Sequence, residues 1–287
     1  MAKQRKICYY EDEIFRNDVL LQKKDRGTYM DDIKIIFFDI DGTLIDMERK
    51  VISEKMIETL QRLKERNIIL CIATGRSPVL VPEFEGVDFD AFITFNGSYC
   101  YNQKEVIYKI PIPTEDIHQI IENATEIHRP VSLATTTRTA ANGKDKDLVD
   151  YYAIAKMEVI VAEDFDQVAE EEIYQIMAGS RKEEYPDMLK NVEHARITAW
   201  WDRAVDIIPA DSGKGNAVAK ILEYYHLNKS EAMAFGDGNN DLEMLQAVGH
   251  GIAMENASSE LKEIAEDVCG HVAEDGIYHY CMEKGLI

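Results

Sequence analysis

Short apolar runs alternate along this chain with segments in which apolar residues recur at helical spacing. The runs 33–38 and 68–73 end at turn residues and are typical of buried strands. Between them, apolar residues recur every three or four positions, which predicts a helix over 53–66 with Ser53 as its N-cap. Strands that alternate with helices favour βαβ units, and therefore an α/β fold built on a mainly parallel sheet.

The alternation is interrupted in the middle of the chain. Pro111 and Pro113 stop the preceding strand pattern, and Thr114 is a good helix start. From 113 to 208, helical segments mix with alternating strands, which predicts an inserted α+β domain. Its predicted strands are 131–134, 157–161, 173–178, 196–200 and 204–208. Residues 140–147 are predicted to form its most flexible loop.

The segments on either side of the insertion are expected to form one core domain. The strand and helix patterns of 33–112 and 209–287 continue each other once the insertion is removed. Residues 1–32 lack a regular period, and two interpretations stay open: a genuine N-terminal extension, or a start codon placed too early. In neither case is a catalytic residue expected there.

Polar residues stand where the predicted strands end. Asp39 and Asp41 follow the first strand, Thr74 follows the second, Asp237 follows a later apolar run, and Lys214 opens a helix. Because the carboxyl ends of parallel strands meet at one crevice, these side chains are expected to lie together. A buried group of carboxylates is tolerated where a cation neutralises it, and hard oxygen ligands favour Mg²⁺.

An ordered set of motifs resembles a known family. In chain order the motifs are Asp39-Ile40-Asp41-Gly42-Thr43-Leu44, Ala73-Thr74-Gly75-Arg76, Phe95-Asn96-Gly97, Lys214 between two glycines, Gly236-Asp237-Gly238-Asn239-Asn240-Asp241 and Gly251-Ile252-Ala253-Met254-Glu255-Asn256-Ala257. They resemble the haloacid dehalogenase (HAD) superfamily and, within it, the Cof-type phosphatases of subfamily IIB. The resemblance implies a HAD-type Rossmann-like core with a mainly parallel sheet, plus an inserted α+β cap domain of the C2 type.

The resemblance also implies roles for three aspartates. Asp39 is the expected nucleophile, since a carboxylate can attack phosphorus and form an aspartyl-phosphate. Asp41 is expected to protonate the leaving oxygen and then to take a proton from water. The carboxylates of Asp39 and Asp237, with the backbone carbonyl of Asp41, are the expected ligands of Mg²⁺.

Other residues are expected to contact the phosphate or the substrate because they offer an amide, a hydroxyl or a positive charge at the crevice. They are Ile40, Thr74, Gly75, Arg76, Asn96, Lys214 and Asn240. Asp241 is expected to support the metal ligands from behind, through water or hydrogen bonds. A buried structural hydrogen bond is the alternative for Arg76 and Asn96, and a helix N-cap is the alternative for Asn240 and Asp241. Gly213 stands where the family generally has serine, which affects the local geometry beside Lys214.

Composition restricts the partners. The formal net charge of -21 disfavours nucleic acid, so a phosphate site must be locally positive. Five cysteines lie far apart without metal-ligand spacing and fit a reducing cytoplasm. No apolar run has the length needed to span a bilayer, so no membrane partner is expected.

The leading functional hypothesis is a Mg²⁺-dependent phosphatase acting on a small phosphorylated metabolite, with sugar phosphates first among the candidates. Two alternatives stay open: a phosphomutase of the phosphomannomutase type, and a non-catalytic phospholigand-binding protein. In the cap, a specificity surface is predicted from arginines and tryptophans, namely Arg138, Arg181, Arg196, Arg203, Trp200 and Trp201.

Overall fold

The computed structural model of the protein describes residues 32–154, 157–199 and 201–287. The prediction for the N-terminal segment falls on residues outside this description, apart from Asp32. Within the described ranges the strands form two sheets. The larger sheet contains β1 (Ile35–Phe38), β2 (Ile69–Ala73), β3 (Ala91–Thr94), β4 (Tyr99–Asn102), β5 (Val106–Lys109), β11 (Ala232–Gly236), β12 (His250–Ala253) and β13 (Asp267–Val268). The smaller sheet contains β6 (Val131–Ala134), β7 (Thr139–Ala141), β8 (Gln175–Gly179), β9 (Ala195–Thr198) and β10 (Ala204–Pro209).

Helices connect these strands. Those of the larger unit are α1 (Glu54–Glu65), α6 (Lys214–Tyr225), α7 (Leu242–Ala247), α8 (Ser259–Ile264) and α9 (Gly276–Lys284). Those between β5 and β9 are α2 (Thr114–Glu126), α3 (Lys146–Ile154), α4 (Phe165–Val168) and α5 (Tyr185–Met188). The helix predicted over 53–66 is confirmed, since Ser53 caps α1 by accepting a hydrogen bond from the Met56 amide at 3.0 Å.

The order of the larger sheet is β13-β12-β11-β1-β2-β3-β4-β5. Neighbours from β13 to β3 are parallel, and β4 and β5 join as antiparallel edge strands, so the predicted mainly parallel sheet is confirmed. The chain passes from β1 to β2 on one side and later reaches β11 on the other. The strand order therefore reverses at the carboxyl end of β1, which is where open α/β sheets form a ligand crevice.

The core of the larger unit is packed around β1. All four residues of this strand are buried, and Phe38 stacks on Phe235 of β11 with ring centroids 5.6 Å apart. Burial on both faces explains why the strand is an uninterrupted apolar run rather than an alternating one.

The smaller sheet is antiparallel and has the order β7-β6-β8-β10-β9. Its strands come from a single stretch of chain between β5 and α6, and a second cluster of buried apolar residues packs against it. The α+β character predicted for the insertion agrees with this arrangement. The domain boundaries at 113 and 208 remain a prediction.

Two local predictions in this unit are wrong. Residues 157–161 form no strand, because Val161 pairs with Ala141 through one isolated bridge, and Ile160 is exposed. The loop predicted at 140–147 is also displaced. Ala140 and Ala141 are buried in β7, and α3 begins at Lys146. In the sequence, small residues beside an Asn-Gly pair suggest a turn, but in the structure Ala140 and Ala141 pair with the neighbouring strand β6.

No helix among the described residues is both long enough and apolar enough to cross a membrane.

Candidate active site

Lys214 is the buried centre of a group of carboxylates. It is the first residue of α6, and its side chain is fully covered. Its Nζ donates hydrogen bonds to Oδ1 of Asp39 at 2.6 Å and to Oδ1 of Asp241 at 2.5 Å. A point charge on a flexible stem can reach both acids from a helix start, and it compensates part of their negative charge.

Gly213, directly before this lysine, has a backbone conformation that other residues rarely adopt. Its φ is 150°, and an added Cβ would lie 2.1 Å from Oε2 of Glu243. A serine at this position would meet the end of this flexible side chain, which can move aside, so it is the backbone conformation that favours glycine here.

Asp237 is brought to Asp39 by adjacent strands. It follows β11, which pairs with β1. Thr43 donates to its Oδ1 at 3.2 Å, and Asn256 approaches its Oδ2 at 3.5 Å. The turn after β1 passes close to this carboxylate: Gly42 has φ of 89°, and a Cβ there would lie 2.2 Å from Oδ2 of Asp237. Only glycine permits that approach.

Asp241 is completely buried and uses both of its carboxylate oxygens within the protein. Oδ1 accepts from Lys214, and Oδ2 accepts the backbone N–H groups of Asp237 and Gly238 at 3.0 and 3.1 Å. The side chain therefore holds the lysine in place and fixes the loop that carries Asp237.

The pKa values reflect this crowding. Burial raises the pKa of Asp39 well above its usual range, Lys214 lowers it, and Asp241, Asp237 and Asp41 raise it. Burial also raises the pKa of Asp237 to about 7, with Asp241 as the next cause. Burial opposes the charge on Lys214, but Asp241 and Asp39 together raise its pKa, so the ammonium stays charged. The acids thus outnumber the buried cation.

This donor set fits a divalent cation. Carboxylate oxygens of Asp39, Asp237 and Asp241 lie within 4.8 Å of one another. Among the described residues, Oδ2 of Asp39 and the backbone carbonyl of Asp41 accept no hydrogen bond, so both remain open to a ligand. Hard, negatively charged oxygen donors are those that Mg²⁺ or Ca²⁺ prefers. Because both oxygens of Asp241 already accept hydrogen bonds from Lys214 and two backbone amides, Asp39 and Asp237 are better placed than Asp241 to bind such an ion.

Asp41 pairs with Arg76. The guanidinium donates from Nε to Oδ2 at 2.8 Å and from Nη2 to Oδ1 at 2.6 Å, and its Nη1 reaches the carbonyl of Leu80 at 3.1 Å. This two-pronged contact fixes the orientation of the carboxylate. The structure thus brings Arg76 into the site, in contact with the expected acid.

Backbone amides line the same end of the sheet. Among the described residues, the N–H groups of Ile40, Asp41 and Gly75 donate no hydrogen bond. Thr74 is buried beside them, and its Oγ1 accepts from the amide of Arg76 at 3.2 Å. Unpaired amides that converge near a lysine form a suitable anion cradle. The availability of the Asp41 amide was not expected from the sequence.

Asn96 joins this end of the sheet to the smaller unit. Its Nδ2 donates to Oδ2 of Asp206 at 3.2 Å and to Oε1 of Gln175 at 3.3 Å, and its Oδ1 accepts from Asn240 at 3.1 Å. A Cβ on Gly75 would lie 3.0 Å from Asn96. Asn96 is therefore a buried structural bridge that also reaches the crevice.

A cavity of about 340 Å³ lies between the two units. Its floor includes Asp39, Asp41, Thr74, Gly75, Arg76, Asn96, Asp237 and Asn240, while Lys214 and Asp241 lie behind the wall. The structure thus gathers the sequence-predicted site residues at one place. The volume is at the lower end of the range for small-molecule sites.

The wall contributed by the smaller unit differs from the one predicted. It consists of Ala134, Thr139, Tyr151, Tyr152, Ile154, Met157, Gln175, Met177 and Asp206. The four arginines form ion pairs instead: Arg138 with Asp164 and Glu171, Arg181 with Asp147, Arg196 with Glu243, and Arg203 with Asp150. Trp201 packs beneath the guanidinium of Arg203, and Trp200 lies outside the described residues. The predicted arginine surface is corrected accordingly.

Two supporting residues were missed. Thr43 and Asn256 both contact Asp237, and Asn256 also donates to the carbonyl of Gly42 at 2.7 Å. Both residues stand inside the motifs that carry the family resemblance, which is the signal that could have identified them.

Comparisons with known proteins agree with this geometry. The sequence model of the haloacid dehalogenase-like hydrolase family matches residues 36–281 of this chain. The provisionally named phosphatase YkrA of Bacillus subtilis (strain 168) is 35% identical over 258 residues, which cover 89% of this chain and 99% of that protein.

Two further similarities concern proteins of stated activity. The 5-amino-6-(5-phospho-D-ribitylamino)uracil phosphatase YitU of Bacillus subtilis (strain 168) is 27% identical over 266 residues, covering 87% of this chain and 96% of that protein. The solved structure of the HAD subclass IIB sugar phosphatase BT4131 has a TM-score of 0.80 at 28% identity, covering 88% of this chain and all of that one.

Proposed function

Because the chain belongs to the haloacid dehalogenase-like hydrolases, in the Cof-type subfamily IIB, we propose that it hydrolyses a small phosphorylated metabolite through an aspartyl-phosphate on Asp39. The protein is a phosphoric monoester hydrolase by family. The observation that carries the mechanism is the state of Asp39: Lys214 holds one carboxylate oxygen, and the other accepts no hydrogen bond within the described residues.

The proposed reaction has two steps. Oδ2 of Asp39 attacks phosphorus, the bond to the leaving oxygen breaks, and that oxygen takes a proton from the carboxyl group of Asp41. Asp41 then accepts a proton from water, whose oxygen attacks phosphorus and releases phosphate from Asp39. The amides of Ile40 and Gly75 and the charge of Lys214 stabilise the phosphoryl oxygens during both steps.

Mg²⁺ is the proposed cofactor. Asp39, Asp237 and the carbonyl of Asp41 would hold it, because their oxygens are hard and the pKa values of the two acids are raised by burial. When bound, the ion supplies positive charge that offsets the phosphoryl negative charge and keeps the carboxylates ionised.

A small substrate is proposed from the size of the cavity and from the unit that covers it. The smaller unit contacts the larger one through Asn96 and through Lys50, whose Nζ donates to the carbonyl of Ile154 at 2.9 Å. A partly covered cavity of about 340 Å³ is too small to take a macromolecule and suits a small ligand. The names of YitU and BT4131 give small phosphorylated compounds as substrates of those proteins. We propose the same size class here. Free cysteine thiols at four described positions support the predicted cytoplasmic location.

The test is phosphate release from p-nitrophenyl phosphate by protein freed of metal with EDTA. We expect no activity until Mg²⁺ is added, and no activity with Asp39→Asn at any Mg²⁺ concentration. Asp88→Asn, at an exposed aspartate of the larger unit, is the matched control and should keep wild-type activity. Full activity of Asp39→Asn would refute the nucleophile, and full activity in EDTA would refute the metal.

A further inference from the structure

Asp206 is a buried carboxylate in the cavity wall that the proposed reaction does not use. It lies on β10, is 2% exposed and lines the cavity on the side facing Asn96. Tyr151 donates to its Oδ1 at 2.5 Å, Gln175 donates to the same oxygen at 3.0 Å, and Asn96 donates to Oδ2 at 3.2 Å. Within the described part of the chain, Asp206 forms no ion pair.

This arrangement leaves one acceptor position available. A carboxylate accepts about four hydrogen bonds, and the three donors above saturate Oδ1 and half-saturate Oδ2. A buried charge without a cation is costly, and burial raises the pKa of Asp206 to about 7, while the hydrogen bonds from Tyr151 and Asn96 lower it. A positively charged or N–H-bearing group on a ligand would complete the coordination and offset the negative charge.

The position of Asp206 limits where that group can be on the ligand. Asn96 touches Asp206 on one side and Asn240 on the other, and it lies against Gly75, whose amide belongs to the proposed phosphate cradle. One side chain therefore separates Asp206 from the phosphate end of the cavity. The donor group must lie only a few bonds from the phosphate-bearing carbon.

The rest of the wall favours a flat or apolar body. Besides the polar residues already named, the lining contains Met47, Leu80, Phe95, Ala134, Tyr151, Tyr152, Ile154, Met157 and Met177. Aromatic rings and thioethers pack well against an aromatic ring, so this part of the lining favours a flat, apolar body.

We propose that Asp206, oriented by Gln175 and Tyr151, binds an amino group of the substrate, and that the substrate is an aromatic phosphate monoester with an amino group close to its phosphate-bearing carbon. This inference rests on the proposed phosphatase activity and specifies its substrate class. Asp206 acts as a specificity residue, distant from the phosphoryl transfer itself.

The experiment compares kcat/KM within two matched pairs of phosphate monoesters. Pyridoxamine 5′-phosphate and pyridoxine 5′-phosphate share an aromatic body and differ by an amino group against a hydroxyl group. Glucosamine 6-phosphate and glucose 6-phosphate make the same exchange on a polar body. We expect the amine to be preferred by about tenfold or more in the aromatic pair, and the aromatic pair to be preferred over the sugar pair.

Variants test whether Asp206 causes the preference. With Asp206→Asn the amine-to-hydroxyl ratio should fall close to one, while Asp187→Asn, at an exposed aspartate of the same unit, should retain the wild-type ratio. Because each ratio is measured on one preparation, loss of folded protein cancels from it. An amine-to-hydroxyl ratio near one in the wild-type protein, or a preference for the amine that persists in Asp206→Asn, would overturn the inference. Phosphate release in those same assays would still support the proposed function. Absence of phosphate release from every ester, p-nitrophenyl phosphate included, would overturn both.

Discussion

Replacement of Lys214 by methionine should cost more stability than any other single lysine substitution on α6. The substitution keeps the length and apolar stem of the side chain and removes only its charge. It leaves the carboxylates of Asp39 and Asp241 buried without their shared cation, beside a third acid, Asp237.

The magnitude follows from the geometry. At contact distances of 2.6 and 2.5 Å and an effective dielectric constant of about 20, each ion pair contributes about 6 kcal/mol of Coulomb energy. Part of this is offset, because Lys214→Met also removes the cost of burying an ammonium group. Breaking buried pairs in this way costs about 3–5 kcal/mol. At about 2–4 °C per kcal/mol, the melting temperature should fall by roughly 6–20 °C.

The assay is thermal denaturation followed by far-UV circular dichroism in EDTA, so that no added metal compensates for the lost charge. Lys220→Met is the matched control, because Lys220 lies on the same helix, is 49% exposed and pairs with Glu223 at the surface. Its effect should stay within about 0.5 kcal/mol. Adding Asp241→Asn to Lys214→Met should restore part of the loss. A loss below about 1 kcal/mol for Lys214→Met would refute the electrostatic reasoning. So would an effect of Asp241→Asn on stability that is no more favourable in the Lys214→Met protein than in the wild-type protein.

Two further predictions concern the backbone and pH. Gly42→Ala should abolish phosphate release and lower stability by more than Gly285→Ala, because both glycines have positive φ but only at Gly42 would a Cβ collide, at 2.2 Å from Asp237. In thermal denaturation, Gly285→Ala should lose roughly 1–2 kcal/mol of stability, the cost of the backbone conformation alone. An equal loss for both variants would contradict the steric argument. The folded protein holds a proton on Asp206 up to a pKa of about 7, whereas the unfolded chain releases it near 3.8, so this group makes stability fall as pH rises between these values. Only the two pH units between pH 5 and the folded pKa of about 7 contribute, at about 1.36 kcal/mol each. Asp206→Asn should therefore remove up to about 2.7 kcal/mol from the difference between the free energies of unfolding at pH 5 and pH 8, measured with urea. An unchanged difference would refute the raised pKa.

The elements with strong patterns could be predicted from the sequence. Strand β1 is buried on both faces, so its apolar run is unambiguous, and α1 has both a capping serine and a regular apolar stripe. The strand predicted at 157–161 does not form: Val159 is buried, Ile160 and Val161 are exposed, and among the described residues a single bridge from Val161 to Ala141 is the segment's one pairing. The apolar pattern alone does not reveal that no partner strand runs alongside. The local pattern of apolar residues predicts an element reliably when the element is buried on both faces or along a periodic stripe, and it is ambiguous otherwise.

The gathering of the larger unit's site residues was also predictable. The residue types at successive strand ends identify the acids, the lysine and the glycine turns, and parallel topology brings such ends together. The reciprocal pairing of Asp41 with Arg76 was not predictable, because two residues in separate loops can meet in many ways. The same holds for the hydrogen bonds that Asp241 accepts from Lys214 and two backbone amides.

The cavity wall of the smaller unit is where sequence and structure differ most. Arginines were expected there as binders of substrate, but none of the four lines the cavity, and each forms an ion pair with an acid instead. Instead the wall presents Asp206, whose importance depends on its burial and on donors from three separate segments.

The sequence by itself determined the α/β class, the strand ends that bear the acids and the family to which the chain belongs. These features are encoded in residues close together along the chain, where side-chain periodicity and turn chemistry act locally. Only the tertiary structure decided which charges are paired, which amides stay open and which side chains face the cavity. Those outcomes depend on distances between residues far apart in sequence, and on the competition of every acid and base for the nearest partner.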